Sequence, residues 1–114
     1  MLTIDALKSF GANTEEGLGR CLNNEAFYLR LVNMSLQDAG FDKLASAVES
    51  DDRKAAFEAA HALKGSLGNL ALTPIYTPVA ELTELLRGGQ NADYKAMLGT
   101  ILRQRAELLA LCEG

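Results

Sequence analysis

Apolar residues recur three and four positions apart along nearly the whole chain, the repeat of helices that lay one face against a core. Ile4, Leu7 and Phe10 follow Thr3, a capping residue, and Gly11 offers a stop, so a short first helix is expected up to Phe10. Asn13 with Glu16 three residues on is a capping-box pattern opening a second short helix to about Cys21, with Gly17 and Gly19 inside it. Asn23 or Asn24 starts a longer helix to about Ala39, with Phe27, Leu31, Met34 and Asp38 on one line and Tyr28, Val32 and Ser35 on the next. Gly40 ends it. Phe41, Leu44, Ala45 and Val48 continue the repeat to about Ser50, either after a turn or as the second half of one bent helix.

Ser50, Asp51 and Asp52 supply a cap and negative charge at the start of the next helix, which runs to near Leu72. Thr73 with Pro74 reads as a cap followed by a first-turn proline, and Thr77 with Pro78 repeats the signal. A proline there removes a backbone hydrogen bond, so a kink or restart is expected. Val79, Leu82, Leu85 and Leu86 carry the apolar face to Arg87, where Gly88 and Gly89 end it. Asn91 caps a last helix striped by Tyr94, Met97, Leu98, Ile101, Leu102, Leu108 and Leu109. No stretch reads as a strand. The pattern predicts an all-α chain, an antiparallel four-helix bundle with additional short N-terminal helices, forming a single domain over residues 1–114.

Composition narrows the function classes. A net charge of −4 argues against nucleic-acid and anionic-membrane partners, which call for a basic patch. No apolar run approaches the roughly 18 residues of a membrane span, and no secretory signal opens the chain, so a cytoplasmic protein is expected. Cys21 and Cys112 lack metal-ligand spacing and there is one histidine, so both cysteines are read as free thiols and no metal site is expected.

That histidine lies in the stretch Ala60-His61-Ala62-Leu63-Lys64-Gly65-Ser66-Leu67-Gly68-Asn69-Leu70. On a helical wheel Ala56, Ala59, Ala60, Leu63, Leu67 and Leu70 share one apolar sector, and His61 falls roughly 150° from its centre. Gly65 and Gly68 follow one and two turns along the outward face, and Lys64 is also one turn away. Each helical glycine costs roughly 1 kcal/mol relative to alanine, which asks for a compensating use. Close packing of two helices within the bundle is one such use. Clearance for a docking partner is favoured, because the two glycines lie on the outward side. Phe57, one turn before His61, either folds onto the core rim or anchors a docked partner; Glu58 and the small Ala62 complete the outward surface.

His61, Leu63, Lys64, Gly65, Ser66, Gly68, Asn69 and Leu70 resemble the signature helix of histidine-containing phosphotransfer (HPt) domains. The resemblance extends over nearly the whole chain, with Ala71 standing where many members have glycine and Pro78 where the family's next helix usually runs unbroken. It implies that His61 accepts a phosphoryl group through Nε2, that Lys64 lies near the phosphate, and that Phe57, Glu58, Ala62, Gly65 and Gly68 meet the partner. Met34 and Gln37 are set near the histidine by the resemblance alone. The partners so implied are a response-regulator receiver domain and a hybrid histidine kinase. This chain is expected to bind no cofactor, Mg²⁺ being brought by the receiver, and to act as a monomer.

Neutral imidazole is a nucleophile, and a solvent-exposed one needs no further activation near neutral pH. No Walker loop, acidic metal cluster or second base accompanies His61. The resemblance implies that the receiver brings most of the catalytic groups, so the chain is expected to be a reversible phosphoryl carrier rather than an enzyme. A kinase is too large for this length, and a hydrolase would need a nucleophile and an orienting carboxylate around a pocket. The remaining alternative is a non-phosphorylated helical adaptor that docks a receiver or kinase domain.

Overall fold

Local capping sets most of the helix boundaries. In the computed structural model, which describes residues 1–113, α1 spans Ile4–Phe10: the Thr3 hydroxyl oxygen accepts the Ala6 amide at 3.1 Å, and Gly11 turns the chain at φ 111°. α2 (Thr14–Arg20) opens on Asn13, whose side-chain oxygen accepts the Glu16 amide at 3.2 Å. Glu16 returns to the Asn13 side-chain amide only, because the Asn13 backbone N–H donates to the Ala71 carbonyl at 3.0 Å. The same cap therefore ties α2 to the turn that ends the histidine helix.

α3 spans Glu25–Leu36 and starts on Asn24. It is shorter than the hydrophobic repeat predicts. Asp38 accepts the Gly40 amide at 2.6 Å, so Gly40 opens α4 (Gly40–Glu49) instead of closing α3, and a turn over 37–39 separates the two. A side chain at Gly40 would come within 3.2 Å of Leu63, which explains the glycine by close helix approach.

α5 (Arg53–Asn69) begins on Asp52, whose carboxylate accepts the Ala55 amide at 3.1 Å. It ends earlier than Leu72. The Ala71 amide donates to Gly68 O at 3.0 Å and the Leu72 amide to Leu67 O at 3.1 Å, with Ala71 at φ 56°. These are the two bonds of a Schellman stop, completed by the buried pair Leu67 and Leu72. Ala71 thus holds the left-handed position that glycine fills without strain.

α6 spans Thr73–Arg87. Thr73 is its first helical residue and makes no capping bond, a correction to the expected Thr73 cap. Pro78 lies inside one uninterrupted helix, so the expected restart does not occur. The last helix, α7 (Tyr94–Glu113), is capped by Asp93, which accepts the Ala96 amide at 3.0 Å. Asn91, expected in that role, instead accepts from Arg53 Nη2 at 3.0 Å.

α4 packs on α5, α5 on α6, α6 on α7 and α7 on α4, closing an antiparallel four-helix bundle. Phe41, Leu44, Leu63, Leu67, Ile75, Leu82 and Ile101 fill its centre. α3 packs on α7 and α2, and the buried Tyr28 hydroxyl donates to Leu70 O at 2.8 Å. Gly17 makes room for the Tyr28 ring, since a Cβ there would meet its atoms at 2.6 Å. On the opposite side Arg105 Nε donates to Leu36 O at 2.7 Å while its guanidinium covers Phe41 at 4.7 Å. Cys21 is buried, Cys112 is half-buried, and both are free thiols.

Candidate functional site

α5 buries Ala56, Ala60, Leu63 and Leu67, and this places His61, Ala62, Gly65 and Ser66 on the exposed side. His61 does not stand alone. Its ring stacks on Phe57 with centroids 5.7 Å apart and planes 12° from parallel. Phe57 is half-buried against the core rim, and the Arg87 guanidinium of α6 covers its ring at 5.2 Å from the centroid.

Lys64 lies one turn after His61 and is held across the helix pair: its Nζ is 3.8 Å from Glu84 Oε1, and Arg87 Nε donates to Glu84 Oε2 at 3.0 Å. Glu84 is largely exposed, so the Lys64 contact is weak and exchangeable in water. The ammonium remains available to a stronger anion beside His61.

The two glycines part company. Nothing approaches a Cβ built at Gly65 within 4 Å, whereas one at Gly68 would come within 2.8 Å of the Tyr76 ring. Clearance for a partner is therefore corrected at Gly68: the room is used by α6 of the same chain, which the wheel alone does not reveal. At Gly65 the space above the helix is open.

An open groove beside His61 is lined by Arg20 of α2, Lys64 and Gly65 of α5 and Tyr76 of α6. Arg20 has no signal in the sequence that would link it to the site. Its Nη1 donates to Gly68 O at 2.6 Å and to Asn69 O at 3.3 Å, and its Nη2 pairs with Glu16. These bonds satisfy the last carbonyls of α5 and set a cation against its negative dipole end. On the other flank Glu58 and Ala62 face α4 alongside Asp42 and Lys43. Met34 and Gln37 sit on α3, which packs on α7 and α2; they are not among the residues lining the groove at His61.

Among the described residues no group of three or more His, Cys, Asp or Glu side chains could hold a metal ion, and no helix is long and apolar enough to cross a membrane.

A helical bundle that offers one nucleophilic side chain on an open face, with a lysine one turn away and empty space ahead of it, is suited to handing a small group to another surface. The family model of the Hpt domain matches residues 32–113, and the chain belongs to that family. Hpt domains are phosphotransfer carriers of phosphorelays and generally interact with response-regulator receivers. The comparisons found no match among curated proteins or solved structures. The matched region starts within α3, so α1 and α2, with Arg20, lie outside it.

Proposed function

We propose that this chain carries a phosphoryl group on His61, taking it from the aspartyl phosphate of one receiver domain and passing it to another. The observation that supports this reading best is the exposed His61 with Lys64 one turn on and open space above Gly65. In the forward step a lone pair of the imidazole, taken as that of Nε2, forms the N–P bond. The P–O bond to the aspartate breaks, and its electrons leave on the carboxylate. The other ring nitrogen keeps its proton throughout. The reverse sequence returns it, so transfer is reversible.

Charge builds on the phosphoryl oxygens as the bonds exchange, and transfer depends on neutralising it and on alignment. Lys64 supplies one positive charge by leaving Glu84 for the phosphoryl oxygens. The Mg²⁺ and remaining catalytic groups come from the receiver, and this chain binds no cofactor of its own. The docking surface is Glu58, Ala62 and Gly65 around the histidine, kept free in a cytoplasmic monomer that serves a hybrid kinase and a downstream regulator.

The test is incubation with a panel of phosphorylated receiver domains and Mg²⁺, followed by assay for an acid-labile, base-stable phosphoryl group. Labelling of the wild-type chain that is absent in a folded His61→Gln variant is expected. Labelling that persists in that variant refutes the role of His61. Binding of a cognate receiver without any labelling identifies a docking adaptor instead.

A further inference from the structure

We propose that Phe57 is the positioning residue of the phosphoryl acceptor: its ring is a platform that holds the His61 imidazole in one orientation, and Arg87 holds the platform. The proposal rests on the carrier reading of His61. Residues four apart on a helix share a face, and here the two rings lie nearly parallel at offset-stacking distance. An exposed histidine with no such neighbour samples several rotamers and turns freely about its second torsion. His61 is exposed, so Phe57 is what restricts it.

The platform is itself fixed from two directions. Phe57 is half-buried against the core rim, and the Arg87 guanidinium lies 5.2 Å from its centroid. Arg87 is tied by Glu84 at 3.0 Å, and the other oxygen of Glu84 reaches Lys64 at 3.8 Å. The acceptor ring and the lysine beside it are thus tied, through separate contacts, to one Glu84–Arg87 pair on α6. The ring is held by stacking and by Arg87, whereas the longer Lys64 contact is the exchangeable one that frees the ammonium for the phosphoryl oxygens.

The consequence is geometric. In-line transfer requires the nitrogen lone pair to point at phosphorus opposite the breaking P–O bond, and orientation of this kind contributes much of the rate in intramolecular reactions. Phe57 makes or breaks no bond and moves no proton. It aims the lone pair before the receiver arrives, so less side-chain freedom is lost on docking.

Phe57→Leu removes the flat ring and keeps apolar volume at the core rim, while Phe57→Tyr keeps the ring. Three readouts separate positioning from folding: the ring-current shift of the His61 ring protons by NMR, the melting temperature, and the rate of phosphorylation. Two donors are used, phosphoramidate, which labels histidine without a protein partner, and a phosphorylated receiver that labels the wild-type chain. In Phe57→Leu the ring-current shift is lost, and the receiver-dependent rate falls about two- to thirteenfold, the range that the worth of one aromatic pair converts to. The phosphoramidate rate changes less, because a small donor can approach the ring from any direction. Phe57→Tyr restores the receiver rate. Arg87→Gln leaves the ring in place and lowers the receiver rate by a smaller factor, which keeps the test independent of how well Phe57→Leu folds.

A folded Phe57→Leu variant that transfers at the wild-type rate overturns the proposal, as does failure of Phe57→Tyr to restore it. If neither phosphoramidate nor any phosphorylated receiver of the panel labels His61 of the wild-type chain, the carrier reading fails and the platform with it, a result read before any Phe57 variant is made.

Discussion

Substitutions at Gly65 separate docking from folding, because the helix surface there is empty. A Cβ at Gly65 meets nothing within 4 Å, while one at Gly68 lies 2.8 Å from Tyr76 Cε1 and 3.1 Å from Cδ1. Glycine inside a helix costs about 0.5–1 kcal/mol relative to alanine, so Gly65→Ala should stabilise the chain by that amount. For a domain of this size the gain corresponds to a melting temperature higher by about 2–5 °C. Gly68→Ala has the same gain in helix propensity, but the Tyr76 ring must move, and overpacking of this kind costs about 1–3 kcal/mol. The expected net result is a loss of up to about 2 kcal/mol. Gly65→Leu should fold at least as stably as wild type, yet receiver-dependent labelling of His61 should fall tenfold or more, since displacement of the reacting atoms by about 1 Å can cost about a hundredfold. Urea denaturation followed by circular dichroism reads the stability, and timed transfer from a phosphorylated receiver reads the docking. Wild-type transfer by Gly65→Leu would show that no partner needs the cleared space. A destabilised Gly65→Ala would show that the helix face is not open.

Two further substitutions test the turn that ends α5. Tyr28 is fully buried, and burial, with a smaller contribution from Cys21, pushes its phenol up from 10.0 to about 12. The folded value lies above the unfolded one, so this contribution to stability is complete below about pH 10 and lost as pH rises through 12. The loss amounts to about 2–3 kcal/mol. Tyr28→Phe should cost about 1–2 kcal/mol at neutral pH by leaving Leu70 O without its donor, and should flatten the alkaline loss. Urea denaturation across the alkaline range checks both, and an unchanged slope in the variant refutes the assignment. Ala71→Gly should relieve the left-handed strain of about 1–2 kcal/mol; after the added chain entropy of glycine, a net gain of up to about 1 kcal/mol remains. A lower melting temperature would mean that the buried Ala71 methyl group outweighs the strain.

Helix caps and hydrophobic repeats act within a few residues of chain, and so the sequence by itself determined the all-α class, the caps at Thr3 and Asn13, and the outward His61 on a face opposite Leu63 and Leu67. It narrowed two further caps to Asn23 or Asn24 and to the run Ser50 to Asp52, of which the structure uses Asn24 and Asp52. At Gly40 the choice between stop and start depended on the Asp38 side chain reaching its amide, and at the last helix Asp93 took the capping role expected of Asn91. Only the tertiary structure decided what surrounds His61. Gly65 and Gly68 are alike on a wheel, but α6 carries Tyr76 over one and leaves the other open. Arg20 joins the end of α5 across 48 residues of chain, and Glu84 and Arg87 reach Lys64 and Phe57 through the register of α6 against α5. That register is set by interlocking side chains of both helices, so neither helix's own residues specify it.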